Sequence, residues 1–217
     1  LKPFDKVVDG QTVTVEESNL VRRKIMDNYF TGGIFSLDYD KGPLRVSLGG
    51  AANIYDGKHY GRVMWVKDYA GDDMFTAEHE YYRNKGTKKD ANIYLKANWE
   101  VASGFSLFGD VQYRHINYTI KGTNDKWDKA AGAMQHIDVD NNYDFFNPKA
   151  GIFWQANDML DVYASVAVAN REPTRNNFTD AETDVAPKPE RLIDYEAGVT
   201  YRGRSVWTGA NLYYMDY

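Results

Sequence analysis

The chain has 217 residues, 43% of them hydrophobic, with 26 basic and 31 acidic side chains for a formal net charge of −5, and no cysteine. Without cysteine there is no disulfide framework, thiolate zinc site or thiol nucleophile, and the acidic balance removes the basic footprint of a nucleic-acid binder. Seventeen Tyr, ten Phe and five Trp beside 18 Gly and only six Pro favour strands joined by turns, and no run of about 18 apolar residues offers a spanning helix, which leaves a spanning barrel open.

The start, LKPFDKVVDG, has no initiator Met, basic n-region or apolar h-region and reads as a mature or cut chain. The stretch Leu1 to Asp27 is expected to precede the first strand, 28–39. A DKGP turn leads into 43–56, where Leu44, Val46, Leu48 and Ala52 alternate with Arg45, Ser47 and Asn53. A long polar stretch, Gly57 to Lys88, ends in the charge run EYYRNKGTKKD, most simply a solvated loop. Strand 89–101 then alternates without error, Ala91, Ile93, Leu95, Ala97, Trp99 and Val101 against Asn92, Tyr94, Lys96, Asn98 and Glu100. After ASG, strand 105–118 sets Phe105, Leu107, Gly109, Val111 and Tyr113 against Asp110, Gln112 and Arg114, with Phe108 breaking the rule.

A second polar stretch, Thr119 to Asn141, separates this from strand 142–155. There Ala150, Ile152 and Trp154 share a face, but Phe153 lies opposite and Pro148 removes a ladder donor, so a bulge or strand start is expected. After ANDM, strand 160–170 sets Leu160, Val162, Ala164, Val166 and Val168 opposite Asp161, Tyr163 and Ser165. A third polar stretch, Arg171 to Arg191, leads to 192–202, with Tyr195, Ala197, Val199 and Tyr201 opposite Asp194, Glu196 and Arg202. A GR turn connects to the last strand, 205–217.

A soluble antiparallel sandwich also alternates, but over strands of about 5–6 residues. Here the alternation persists for roughly ten, the length a tilted strand needs to cross hydrocarbon. Short and long connections alternate strictly, as in outer-membrane barrels with short periplasmic turns and longer extracellular loops. The reading is therefore all-β, an antiparallel up-and-down transmembrane β-barrel, of which residues 1–217 supply about eight strands as one partial domain. With the short turns periplasmic, the first strand descends from outside and the last ends outside. Both edges would lie unpaired in lipid, so an interior piece of a larger barrel is expected.

VRRKIMDNYFTGGIFSLDY, LGGAANIYDGKHYGRVMW, FFNPKAGIFW, VANREPTRNNF and RLIDYEAGVTYRGRSVWTGANLYYMDY together resemble the barrel of TonB-dependent outer-membrane receptors, particularly those of Bacteroidetes. The resemblance touches most of the chain in order. It implies a 22-stranded barrel in the Gram-negative outer membrane, with an N-terminal plug in its lumen that is not in this chain. It also implies a TonB complex that pulls on that plug, and active uptake of a small-molecule or glycan ligand such as siderophore-iron, haem or cobalamin. The alternatives from the residues alone are a plug-less barrel or surface adhesion protein, and a soluble β-sandwich binding domain.

Candidate ligand contacts lie at strand ends and in the polar stretches. In REPTRNNF, Arg171, Arg175, Asn176 and Asn177 form a basic rim group suited to an anionic ligand or the plug, or a loop anchor in which arginine pairs with Glu172 or Asp180. Tyr81 and Tyr82 suit stacking on a sugar or catecholate. Lys96, Glu100, Asp110, Arg114, Asp194, Glu196 and Arg202 are expected in the lumen as cross-strand ion pairs and partners of a plug. In DVDNNYD the residues Asp138, Asp140, Asn142 and Asp144 resemble a calcium loop, but Tyr143 stands where glycine is needed and Lys149 where the terminal glutamate is. His59, His79, His115 and His136 show no ligand spacing, although His79 or His136 would suit haem. NYT at Asn117 and NFT at Asn177 match a glycosylation pattern that carries little in a bacterial chain. No metal or cofactor site is expected. Nothing resembles a catalytic dyad, phosphate loop or nucleophile elbow, so no enzyme is expected.

Overall fold

A computed structural model describes residues 4–69, 79–180 and 186–217. Its elements are β1 (Phe4–Val8), β2 (Gln11–Val15), β3 (Leu20–Lys41), β4 (Leu44–Val66), β5 (His79–Ala102), β6 (Phe105–Asp128), β7 (Ala133–Asn157), β8 (Leu160–Arg171), α1 (Arg175–Asp180), β9 (Glu190–Arg202) and β10 (Trp207–Asp216). β1 and β2 form a separate hairpin, and the other eight strands form one sheet in the order β10-β9-β8-β7-β6-β5-β4-β3. Each neighbour in space is a neighbour in sequence, so the sheet is an up-and-down meander. The chain divides into two compact units. One comprises Leu1–Phe30, Tyr55–Thr87 and Tyr118–Asp140, the other Thr31–Ile54, Lys88–Asn117 and Asn141–Tyr217.

In the second unit the register preserves the alternation from strand to strand. Ile152 lies beside Ala164, Ala164 beside Ala197, and Ala197 beside Leu212. The neighbouring apolar rows are Trp154, Val162, Val199 and Ala210, and Ala150, Val166, Tyr195 and Tyr214. The intervening rows are of the other character, for example Gly151, Ser165, Glu196 and Tyr213. A slip of one residue in any strand would invert this sorting, so the apolar face and the register specify each other. The apolar face is not covered: Ile93, Leu95, Trp99, Val111, Ile152, Trp154, Val199 and Leu212 are all exposed. It runs about nine residues per strand, from Leu160 to Val168 in β8 and from Ile193 to Tyr201 in β9, enough for a tilted strand to cross a bilayer.

The opposite face carries a second regularity. The Phe108 ring of β6 lies over Gly151 of β7, and the Tyr163 ring of β8 over Gly198 of β9, each in the space a Cβ would take. Large rings thus lie flat across neighbouring strands instead of standing off the sheet. Phe108, which breaks the alternation on paper, is housed in this way. Tight turns close the hairpins where Gly42 and Gly104 adopt φ of 59° and 73°, a region that costs side-chain-bearing residues dearly.

Several expectations are corrected. The stretches 57–88 and 119–141 are not loops: within their described residues β4 continues to Val66, β5 begins at His79, β6 runs to Asp128 and β7 begins at Ala133. Residues 70–78 and 181–185 of the long polar stretches lie outside the described residues. The physical reason is that ladder hydrogen bonds need no apolar side chains, and polar cross-strand pairs such as Lys85–Asp56 at 2.8 Å and Asn124–Gln135 at 3.0 Å sustain a ribbon that shows no apolar stripe. The stretch before residue 28 holds the β1–β2 hairpin and the first part of β3, and the third polar stretch holds α1. Pro148 neither starts nor breaks β7, whose pairing with β8 shifts register between Gln155 and Asn157.

A charge placed on the apolar face tests its environment. Ile152→Arg, in the central row, is expected to cost ~2–4 kcal/mol in folding into a bilayer, read as reduced folded protein in membrane fractions, whereas Ser165→Arg on the other face leaves the amount nearly unchanged.

Candidate functional site

Four charged groups in the second unit converge on the face opposite the apolar one. The Arg114 guanidinium of β6 grips Asp90 of β5, with Nε 3.1 Å from both carboxylate oxygens and Nη2 2.5 Å from Oδ2. Its Nη1 donates to Glu172 at 3.2 Å. Lys88 of β5 completes the group, donating to Glu172 and lying 3.7 Å from Asp90. Asp90 and Glu172 side chains are 9% and 13% exposed, so each anion depends on its two cations rather than on water. Glu172 directly follows β8, and this pairing ties the start of the 172–180 segment to β5 and β6. Burial pushes the Glu172 carboxyl up, but the Lys88 hydrogen bond and the Lys88 and Arg114 charges outweigh it and hold the group below its ordinary range.

The segment after Glu172 is built locally. Asn177 Oδ1 accepts the Thr174 backbone N–H at 2.8 Å and its hydroxyl at 2.7 Å, and Thr174 O accepts the Asn177 N–H at 3.1 Å. This is a capping arrangement, with the third helical residue reaching back to the residue before the helix. Asn177 is thereby committed to starting α1, while Asn176 contributes its carbonyl to the Thr179 hydroxyl and Arg175 opens the helix. Arg171 pairs with Glu190 across β8 and β9 at 2.7 Å, not with the Glu172 or Asp180 expected of a loop anchor.

Other members of the expected charged set are placed as follows. Lys96 reaches Asp110 at 3.8 Å and lies 4.9 Å over the Tyr94 ring. Arg202 holds Asp161 at 2.5 Å, and Tyr163 donates to Glu196 at 2.6 Å. Asp194 keeps one buried carboxylate oxygen without a hydrogen-bond partner. Glu100 donates its backbone N–H to Pro43 O. Lys88, Asp90 and Glu172 escaped the sequence reading: the first two lie at the end of a run read as a solvated loop, and Glu172 was weighed only as a partner for an arginine.

In the first unit Tyr81 and Tyr82 meet edge to face at 5.0 Å, with Tyr82 buried. Burial and the neighbouring Asp125 charge raise the Tyr81 phenol above its usual range. Arg22 sits 5.9 Å over the Tyr81 ring and bonds Asp125 at 3.1 Å, and Lys24 bonds the same carboxylate. The four calcium candidates do not converge: Asp138 pairs with Lys121, Asn142 accepts from Asn117, and Asp144 binds Tyr113 and His115. Among the described residues no group of three or more His, Asp or Glu side chains is arranged to hold a metal ion.

A sheet of long up-and-down strands with one uncovered apolar face and one polar face is the wall of a transmembrane β-barrel. The chain belongs to the TonB-dependent receptor family: the family profile described as TonB dependent receptor-like, beta-barrel, matches residues 5–217. Solved structures of similar fold include the copper transporter OprC (14% identity, TM-score 0.67, covering 88% of this chain and 30% of that one). The unliganded ferric citrate transporter FecA is similar at 12% identity and TM-score 0.61, over 93% of this chain and 30% of that one. The ferric yersiniabactin uptake receptor FyuA from Yersinia pestis is similar at 18% identity and TM-score 0.54, over 91% and 29%. The chain therefore spans about 30% of the length of the structures it resembles. No curated protein matches it.

Removing one cation from the buried network tests it. Arg114→Ala leaves Asp90 and Glu172 with Lys88 alone and is expected to destabilise the barrel by about 3 kcal/mol, seen as a lower melting temperature in detergent. A folded-state pKa below the unfolded one means that Glu172 contributes stability above the unfolded value, about 4.3, and loses it as pH falls through the lower folded value. Protease protection of 172–180 is thus expected to hold at pH 7 and to fall as pH drops below about 4, with Glu172→Gln lowering protection at pH 7 and flattening that dependence.

Proposed function

We propose that this chain is part of the barrel of an outer-membrane receptor that actively takes up a scarce ligand, with a plug in the lumen and energy delivered to it through TonB. The observation that carries the reading is the sorting of each strand in the second unit into an apolar face about nine residues long and a polar face bearing paired charges. Hydrocarbon accepts the first, and a water-filled or plugged lumen accepts the second. Family membership supports the coupling to TonB. FecA and FyuA, by name a ferric citrate transporter and a ferric yersiniabactin uptake receptor, make ferric chelates the first ligands to try, ahead of haem, cobalamin and glycans.

In this reading Lys96, Glu100, Asp110, Arg114, Asp194, Glu196 and Arg202 line the lumen and meet the plug. Arg171, Arg175 and Asn176 form the rim that meets the ligand, since guanidinium forks match the carboxylates and phosphates of anionic chelates. The network on Glu172 fixes the segment that carries them. Tyr81, backed by the buried Tyr82, offers an aromatic face to a catecholate or sugar.

The test is uptake of iron-55 supplied as ferric chelates to cells carrying or lacking the receptor. Accumulation is expected to require the receptor, TonB and the proton-motive force together, and Arg171→Ala with Arg175→Ala is expected to weaken uptake of anionic chelates. Receptor-dependent entry that persists after TonB deletion or a protonophore would instead establish a passive barrel.

A further inference from the structure

The apolar face of the second unit is not smooth. A hollow of 390 Å³ is lined by Leu95, Ala97, Gly109, Val111, Pro148, Ala150, Val166 and Val168, together with Asp110 and Lys149. The first eight belong to the apolar side of the alternation in β5 to β8, and Asp110 and Lys149 to the other side. A second hollow, of 310 Å³, shares Pro148 and Val168 with the first. Its other lining residues include Phe146, Asn170, Arg191 and Asp144, so the two adjoining hollows pass from largely apolar to polar along one face.

The polar end has a defined composition. Arg191 of β9 stands beside Asn170 of β8 in the ladder, is exposed, and has no ion pair or side-chain hydrogen bond among the described residues. Asn170 spends its amide N–H groups on Phe146 O and Asn147 Oδ1. Asp144, the one anion present, is engaged by the Tyr113 hydroxyl at 2.6 Å and His115 Nδ1 at 2.7 Å. Among the described residues the Arg191 guanidinium is thus uncommitted where the apolar face ends, beside a largely apolar groove suited to a hydrocarbon chain.

From this geometry we infer that the outer wall of the barrel binds a phosphorylated acyl lipid, one chain lying in the Leu95–Val168 groove and its phosphate on Arg191. The joined volumes fall within the range of ligand pockets, and guanidinium binds phosphate through two parallel hydrogen bonds. A water-soluble anion has no use for the groove, and an uncharged lipid has none for Arg191. The site is separate from the uptake reading, because its occupant stays in the membrane and the assay below reads no transport.

A Cβ at Gly109 meets nothing within 4 Å, so a larger side chain there enters the groove without disturbing the sheet. Native mass spectrometry of the detergent-purified receptor, titrated with dioleoyl phosphatidic acid and with dioleoylglycerol, reads occupancy directly. The wild type is expected to retain one phosphatidic acid and to prefer it to the phosphate-free lipid. Arg191→Gln is expected to weaken phosphatidic acid about tenfold, the scale of a lost charge-assisted contact, and to leave dioleoylglycerol unchanged. Gly109→Leu is expected to weaken both, while Val199→Leu, on the same face outside the hollow, weakens neither. Equal retention of the two lipids by the wild type, wild-type binding in both variants, or displacement of phosphatidic acid by inorganic phosphate would each overturn the site.

Discussion

Inside hydrocarbon no water is available to backbone N–H and C=O groups, and each one left unpaired costs several kcal/mol. A chain with no spanning helix meets this condition only through continuous strand-to-strand ladders. The up-and-down order from β3 to β10 is the simplest such ladder, since every strand finds its partner in the element just made. Gly42 and Gly104 matter for the same reason, as their left-handed backbone lets two strands meet within a very short turn. Once the ladder is fixed, each residue has one of two faces, and chemistry follows from which face it takes.

The two faces are stabilised differently. On the apolar one, aliphatic and aromatic side chains remain exposed within the protein, and their favourable environment is lipid. On the polar one, the Asp90 and Glu172 carboxylates are largely withdrawn from water against Arg114 and Lys88, an arrangement that is costly to break from one side and that fixes geometry more than it adds net stability. Rings lying over Gly151 and Gly198 keep that face low. The charged network and the capping of α1 by Asn177 set the conformation of the segment that leaves β8, so the wall and the segment are one mechanical piece at Glu172.

Much of the second unit is legible in the sequence because bilayer thickness imposes period two over nine or more residues, and Ala91 to Val101 shows it without interruption. Arg114 and Lys96 are likewise readable as polar-face charges, though not the identity of Arg114's partners, which come from β5 and from beyond β8. The first unit is not legible on the same grounds. There the buried apolar residues are few and scattered, Tyr82, Ile120 and Ile137 among polar neighbours, so Tyr118 to Asp128 and Ala133 to Asp140 look like loop while forming strand. Helix α1 is too short for a periodic signal, and its start depends on the single contact between Thr174 and Asn177. The ligand residues are hardest to read, because recognition at a rim draws on common polar side chains without fixed spacing.

The central claim is that alternate residues of one strand face lipid and lumen, and these 217 residues hold no cysteine that would compete with a label placed among them. Single cysteines placed in turn from Ala150 to Gln155 in the receptor, labelled with a fluorophore in native outer membranes, are to be quenched by a lipid-soluble nitroxide or by aqueous iodide. The account predicts a period of two: positions 150, 152 and 154 quenched from the lipid, and positions 151, 153 and 155 shielded from it and more open to iodide. Uniform aqueous quenching at all six positions would contradict it.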